Sequence, residues 1–160
     1  MADDAIALCR YCQAQGFCRF GVGEFTLTGT ERAEAQVRCA ESFEAGPRVA
    51  HGGWTAAMFD DVLGRFLSRG RHRVVTGSLT IDYLRPVPVE EDLVATMWVV
   101  SREGRRWTVA GELRLAGGTE ALARASGLWI ERRPDHFERH EAAMCDYRDA
   151  KAGSTNTGPA

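Results

Sequence analysis

The sequence predicts an α+β fold in which an antiparallel β-sheet wraps around one long central α-helix. Its helix signal is a glycine-bearing turn that opens into an apolar-periodic segment, roughly residues 52–68. One segment before this helix and four after it alternate between apolar and polar residues or are rich in β-formers, with short turns between the later ones. A helix placed between an early strand and an antiparallel series of strands favours a curved sheet wrapped around it.

Size and composition indicate one soluble globular domain. The chain has 160 residues, of which 44% are hydrophobic and 26% charged, and its net charge is −2. That charge gives no electrostatic reason to expect nucleic acid or an anionic membrane as a partner. No apolar stretch approaches the roughly 20 residues that span a bilayer, and the acidic N-terminus lacks the pattern of a secretory signal. We therefore expect a cytoplasmic protein.

The five cysteines form an odd and scattered set. Cys9 and Cys12 have the spacing of a metal-binding pair, and Cys18 follows near by. A structural zinc site commonly needs two such pairs, and no second pair follows. We therefore expect reduced cysteines and no metal.

The first half of the chain divides into an extension, a strand and the helix. Residues 1–24 are expected to form a helical or irregular extension, with a short helix reaching to about residue 18. Residues 25–40 read as extended chain with one polar face, and Gly46-Pro47 marks a loop. The helix of residues 52–68 is closed by Gly70.

The second half is predicted to consist of strands. Residues 74–84 end at a segment with two prolines, which remove ladder donors and force a turn. Residues 93–101 are apolar on both faces, as expected for a strand covered by a helix and by another subunit. Strands follow over residues 107–115 and 120–130, with Gly117-Gly118 as the hairpin signal between them.

The main domain is expected over residues 25–132. Residues 133–160 read as a tail, first charged and then polar. About the last ten residues are expected to be disordered.

His51-Gly52-Gly53 and Asp60 supply the residue types that acyl-transfer chemistry needs. A helix start leaves backbone N–H groups without helical partners, so they are able to dock a polar group. Asp60 interrupts an apolar stripe formed by Ala56, Phe59, Leu63 and Phe66. A carboxylate in a partly dry setting is a better base than it is in water. We expect a base and a carbonyl-polarising site within one short stretch.

Three features in this order resemble the hotdog-fold acyl-CoA thioesterases, over roughly residues 25–132. They are the HGG motif, the acidic residue nine positions after its His, and the pattern T-x-x-L-x-x-x-YLRP over residues 76–86. The similarity is to the PaaI-like branch, which includes phenylacetate-pathway and human mitochondrial thioesterase-superfamily proteins. It implies a hotdog fold, dimerisation through strands and an active site at the dimer interface. A homodimer, or a tetramer built from two dimers, is the expected assembly.

The resemblance also implies roles for particular residues. Asp60 takes the place of the catalytic carboxylate, Gly52 that of the residue whose N–H holds the thioester oxygen, and Thr76 that of a hydroxyl that orients water. No metal or redox cofactor is required, because coenzyme A is part of the substrate. Several relatives have Asn where this chain has Ala45, so the chain departs from the pattern at that position.

Other residues are candidates for substrate contacts, although a purely structural role is an alternative for several of them. His51 is a candidate for binding, for packing or capping, or for general-base chemistry. Gly53 is a second donor to the carbonyl, and Trp54 lines an acyl pocket or lies in the core. Asp61 faces solvent or pairs with Arg65, four residues on. Arginines at strand ends and turns are candidates for contact with the phosphates of coenzyme A, namely Arg85, Arg102, Arg105 and Arg106.

Three functions are compatible with these features. The first is hydrolysis of an aryl- or fatty-acyl-CoA thioester, by water activated at Asp60 or by direct attack of its carboxylate through a mixed anhydride. The second is dehydration or hydration of acyl thioesters, in which His51 and Asp60 would both be needed. The third is non-catalytic binding of an acyl or aromatic ligand. The acyl group, and the choice between coenzyme A and an acyl-carrier protein, are left open.

Overall fold

The structure is a computed structural model that describes residues 10–154. Its helices are Arg10–Gln15 (α1), Gly52–Arg69 (α2) and His136–Ser154 (α3), with a 3-10 turn at Glu41–Phe43. Its strands are Val22–Gly29 (β1), Arg32–Arg38 (β2), Glu44–Gly46 (β3), Val49–Ala50 (β4), Val74–Tyr83 (β5), Asp92–Glu103 (β6), Arg106–Leu115 (β7) and Ala121–Glu131 (β8). Cys9 and the last six residues lie outside the described residues.

Six strands form one antiparallel sheet in the order β1-β2-β6-β7-β8-β5, and α2 packs against it. The predicted sheet around a long helix, the hotdog arrangement, is therefore confirmed. Strands β6, β7 and β8 follow one another as a meander. Strand β5 lies at the far edge beside β8, and residues 84–91 carry the chain across to β6. Pro86 and Pro88 in this connection have no N–H for a ladder, which keeps it out of the sheet.

The sheet begins with a hairpin that the sequence did not predict. The single extended segment expected over residues 25–40 is two strands, β1 and β2, which pair from Val22 to Val37 at one end and from Gly29 to Arg32 at the other. A two-residue turn joins them. Strand β1 therefore starts inside the segment that was expected to be an irregular extension.

Helix α2 has the predicted extent, since it spans Gly52–Arg69 and Gly70 follows as its C-cap. Its inner side is fully buried against the sheet by Met58, Phe59, Val62 and Leu63. The helix approaches β7 closely at Gly111, where a Cβ would lie 3.1 Å from Leu63 Cδ2. Burial of this apolar side supplies most of the helix's stability, at roughly 1.5–3 kcal/mol for each large side chain.

Strand β6 has one fully covered face in the single chain. Leu93, Ala95 and Met97 are buried, whereas Trp98 is half-buried and Val100 is 56% exposed. The prediction that both faces of this strand are covered is therefore met only in part within one chain. Its second apolar face has room for a further contact.

The C-terminal region, predicted as a charged and then polar tail, contains a helix that the sequence analysis did not predict. Helix α3 occupies His136–Ser154 and includes the first part of the stretch that was expected to be disordered. This helix is charged and mostly exposed, so it carries no apolar stripe of the kind from which sequence patterns predict a helix.

Candidate active site

The turn before α2 is shaped by His51, which is the N-cap of the helix. Its Nδ1 accepts a hydrogen bond of 2.8 Å from the Gly53 N–H, and its backbone carbonyl accepts from the Trp54 N–H. The side chain of His51 thus has the capping role, one of the three considered. Because the Gly53 N–H is already bonded, that amide is not open to a substrate carbonyl, contrary to its expected role.

Gly52 keeps the open donor of this turn. It is the first residue of α2, and its N–H has no acceptor among residues 10–154. The Tyr83 hydroxyl donates to the Gly52 carbonyl over 2.9 Å, and a Cβ on Gly52 would lie 3.4 Å from the Tyr83 ring. Tyr83 belongs to the YLRP pattern at the end of β5, but no local pattern predicts this contact with Gly52.

A shallow groove of about 380 Å³ surrounds Gly52. Arg85 lines this groove, and its guanidinium is paired with Glu120 at 3.0 Å. Trp54 does not line it, because its side chain is 3% exposed and belongs to the core. The indole N–H of Trp54 has no hydrogen-bond partner among residues 10–154.

Asp60 and Thr76 meet in a second, smaller pocket of about 220 Å³. The Thr76 hydroxyl donates to Asp60 Oδ1 over 2.6 Å, although the residues are 16 positions apart. Trp129 forms part of the same pocket, beside the half-buried Gly64. The structure therefore brings together two of the three residues predicted to be catalytic.

The surroundings of Asp60 differ from the expected dry setting. Phe59, Leu63 and Phe66 are buried against the sheet, whereas Asp60 is exposed on the outer side of α2. The 100° step between successive helix residues separates Asp60 from Phe59, so the carboxylate does not lie within the apolar stripe. In the single chain, this carboxylate is solvated.

The neighbouring carboxylate, Asp61, is engaged in a cluster of its own. Asp61 forms an ion pair with Arg65 at 2.7 Å, which is one of the two alternatives considered for it. The Cys18 thiol also donates a hydrogen bond to Asp61 over 3.5 Å. Arg65 also contacts the Cys18 sulfur at 3.0 Å, and both Cys18 and Arg65 are buried. Burial raises the pKa of Asp61 above its ordinary value, and Arg65 and Cys18 oppose that rise.

Arg65→Met is expected to destabilise the fold in a pH-dependent manner. Without the guanidinium, the pKa of Asp61 in the folded chain rises further above its value in the unfolded chain. The cost is therefore small below the unfolded pKa and grows as pH rises through the folded pKa, because the folded chain then holds an unpaired carboxylate. We expect a loss of about 2 kcal/mol at neutral pH, below the usual range for a buried pair because the Asp61 side chain is 24% exposed.

Denaturant unfolding at pH 4 and pH 7 measures this effect. The control is Arg124→Met, which breaks an exposed pair with Glu112 and should cost under about 1 kcal/mol at both pH values. Equal losses at both pH values in Arg65→Met would show that packing, and not the Asp61 charge, is the cause.

The helix geometry separates the two halves of the candidate site. Gly52 and Asp60 are eight residues apart on α2, which places them about 12 Å apart along the helix axis. One thioester carbonyl cannot contact the Gly52 N–H and a water held by Asp60 over that distance within one chain. The expected base and carbonyl donor are thus present on one helix but do not converge on a single point.

Two further findings concern metals and membranes. Among residues 10–154, no group of three or more His, Cys, Asp or Glu side chains is arranged to hold a metal ion. In the same part of the chain, no helix has the length and apolarity needed to cross a bilayer.

Comparison with known proteins yields a family match. The profile of the thioesterase superfamily matches residues 48–122, which include the HGG turn, α2, and strands β5 to β7. A comparison with curated proteins found no match.

Solved structures with the same fold include several thioesterases. One is described as a thioesterase superfamily protein; it is 29% identical, with a TM-score of 0.60, over 66% of this chain and 54% of that protein. This chain thus spans about half the length of that relative. The Escherichia coli PaaI protein from the phenylacetic acid degradation operon is 18% identical, with a TM-score of 0.64, over 77% of this chain and 84% of PaaI.

A third similar structure contains coenzyme A. It is a hypothetical thioesterase from Streptococcus pneumoniae TIGR4, 16% identical with a TM-score of 0.61, over 67% of this chain and 86% of that one. At these identities, the last two structures support the fold alone. The thioesterase-superfamily profile covers residues 48–122, just under half of the chain, and on the shared hotdog fold the chain is similar to proteins of that superfamily.

Proposed function

We propose that the protein is an acyl-CoA thioesterase that uses Asp60 as its base or nucleophile. The observation that carries this proposal is the 2.6 Å contact between the Thr76 hydroxyl and the Asp60 carboxylate, within a segment that matches the thioesterase superfamily. The Thr76 proton occupies one lone pair of the carboxylate and fixes its orientation. The other carboxylate oxygen and the Thr76 oxygen are then free to accept from one water molecule.

In the proposed reaction, Asp60 removes a proton from this water as its oxygen attacks the thioester carbonyl. The Gly52 N–H donates to the carbonyl oxygen as negative charge develops there. Collapse of the tetrahedral intermediate breaks the carbon–sulfur bond, and Asp60 passes the proton it took from water to the leaving sulfur, so that the free thiol and the carboxylic acid are released and the carboxylate is restored. Direct attack by Asp60 would instead form an anhydride that water then hydrolyses.

The separation of Gly52 from Asp60 supports a site built from two subunits. Strand β5 is an edge strand, because it pairs with β8 on one side and with no strand of residues 10–154 on the other. Its 10 residues contain no Pro or Lys of the kind that protects free edges. In a dimer joined at this edge, Gly52 of one subunit meets Asp60 and Thr76 of the other, and the partner covers the solvated carboxylate.

The first test is release of free thiol from a panel of aryl-CoA and fatty-acyl-CoA substrates. Turnover of at least one substrate is the expected result. A dehydratase would instead interconvert hydroxyacyl and enoyl thioesters without thiol release, and a binding protein would bind the ligand without consuming it. Either result would reject hydrolysis as the activity of this site.

Thr76→Val is expected to lower kcat by about tenfold or more, because a hydrogen bond to a charged group contributes roughly 1.5–3 kcal/mol. The two side chains have the same shape, so packing against Trp129 and the strand is retained. Thr76→Ser keeps the hydroxyl and should retain most of the activity. Steady-state kinetics of all three proteins measure this, and a Val variant as active as the Ser variant would remove Thr76 from the mechanism.

A further inference from the structure

Residues at the start of α3 and at the neighbouring ends of β5 and β8 line an open basic pocket of about 450 Å³. Four arginines line it, Arg105, Arg132, Arg133 and Arg139, together with two histidines. Two carboxylates, Glu131 and Asp135, lie among them. The pocket therefore has a positive excess on a chain whose overall net charge is −2.

None of these four arginines forms an ion pair with any residue of the described range 10–154. Arg105 donates to the backbone carbonyl of Glu131, and the Arg132 guanidinium lies 4.6 Å from the centre of the Phe137 ring. These contacts orient the guanidinium groups without neutralising them. By contrast, Arg85 at the other groove is paired with Glu120.

The Glu131 carboxylate is already engaged by groups on the sheet side. It accepts from the Trp107 indole N–H over 2.9 Å and pairs with His72 at 3.0 Å and Arg102 at 3.2 Å. The Trp107 hydrogen bond, Arg102 and His72 hold the pKa of Glu131 below its ordinary value. Asp135, the other carboxylate of the pocket, has no ion-pair partner among residues 10–154.

The basic pocket lies close to the Asp60 pocket, on the other face of the sheet. Val75 lines the basic pocket and pairs with Ile130, while Thr76 lines the Asp60 pocket and pairs with Trp129. Successive strand residues point to opposite faces, so the two pockets flank the start of β5. A flexible ligand that passes around the start of β5 can occupy both pockets.

We propose that the basic pocket binds the phosphate groups at the nucleotide end of a coenzyme A thioester while its acyl end lies at Asp60. This rests on the proposed thioesterase function. Guanidinium groups match phosphate in shape and charge, and a concave pocket suits a small nucleotide better than the surface of a carrier protein. The pocket depends on α3, which lies beyond the residues 48–122 that match the family, so it is a feature of this chain's own C-terminal region.

Binding is tested directly by titrating adenosine 3′,5′-bisphosphate into the full chain in a calorimeter. The double variant Arg133→Ala/Arg139→Ala should bind it at least about tenfold more weakly, because two charge-assisted contacts are lost. The control is Arg148→Ala, which removes an exposed arginine of the same helix outside the pocket and should bind as the wild type does. Equal affinity in the double variant and the wild type would overturn the proposal.

A parallel titration with inorganic phosphate distinguishes a pocket for free phosphate from a pocket for the phosphate groups of a nucleotide. We expect it to bind at least about tenfold more weakly than the bisphosphate, since it offers fewer phosphate contacts. Equal affinities would assign the pocket to free phosphate and overturn its assignment to a nucleotide.

Steady-state kinetics distinguish a role of the two arginines in binding coenzyme A from a purely structural role. For a coenzyme A thioester, the double variant should raise KM about tenfold and leave kcat unchanged. The N-acetylcysteamine thioester of the same acyl group lacks the nucleotide, so its kinetics should be the same in both proteins. If the double variant raised KM only for thioesters of an acyl-carrier protein and still bound the bisphosphate normally, the proposal would be overturned and the pocket would be a contact for the carrier protein. If the wild type hydrolyses no thioester, the proposed function fails, but the calorimetry still decides what the pocket binds.

Discussion

Asp60→Asn is expected to lower kcat for thioester hydrolysis by at least about a hundredfold, the size associated with loss of a general base. Asn has the same shape as Asp and keeps an oxygen that can accept from Thr76 at the observed 2.6 Å. The site should therefore stay assembled while its proton acceptor, or nucleophile, is lost. Free-thiol release under saturating substrate measures the effect.

The matched control for this variant is Asp146→Asn, which removes an exposed carboxylate from α3. Its turnover should equal that of the wild type, since this residue contacts neither pocket. Turnover that survives in Asp60→Asn would assign the base to another group. Asp61 would be the next residue to replace, although its pairing with Arg65 at 2.7 Å argues for a structural role.

Gly52→Pro is expected to lower kcat by about 10²–10³, the usual cost of removing one donor to the oxyanion. Proline lacks the N–H, and it is well tolerated as the first residue of a helix. His51 already has φ −60° and ψ 135°, which suits a residue that precedes proline. The substitution therefore deletes the open donor while leaving the start of α2 favourable.

Gly52→Ala is the matched control for that experiment. It adds a Cβ at 3.4 Å from the Tyr83 ring, as Pro does, but it keeps the N–H. We expect it to retain most of the wild-type kcat. If both variants lose activity equally, contact with Tyr83 and not the lost donor is responsible.

Combining the two variants tests whether the site is shared between subunits. A purified heterodimer of one Asp60→Asn subunit and one Gly52→Pro subunit has one site with both groups intact and one with neither, if each site takes its groups from opposite subunits. Its activity should be about half that of the wild type, although each homodimer is nearly inactive. If both groups came from one subunit, each site would carry one defect and the heterodimer would be as inactive as its parents.

The sequence by itself determined the features that depend on local patterns. Apolar residues at helical spacing, with Gly70 after them, predicted the extent of α2, and alternation, β-forming residues and turn signals predicted the four later strands. The HGG turn gave a helix start with an open amide, and the resemblance gave Asp60 and Thr76 as partners in one site. The helix and the strands were confirmed because helix periodicity, caps and turns are properties of a few neighbouring residues, whereas the roles of Gly52, Asp60 and Thr76 stay predictions.

Two elements were missed because their signals are weak in sequence. The β1–β2 hairpin read as one strand, since its two-residue turn interrupts the alternation only briefly. Helix α3 was missed because it buries little surface and so shows no apolar stripe. The order of the sheet, with β5 beside β8, depends on how strands far apart in sequence pack, which no local pattern encodes.

The tertiary structure alone decided how the candidate site is put together. It showed that the His51 side chain accepts the hydrogen bond of the Gly53 amide, that Asp60 lies on the solvated side of α2, and that the buried Cys18 thiol joins the ion pair of Asp61 with Arg65. It also set Thr76 against Asp60 across 16 residues while leaving Gly52 two helical turns away. Such relations depend on which side of a helix faces the sheet and on which strand crosses it, and chain packing determines both.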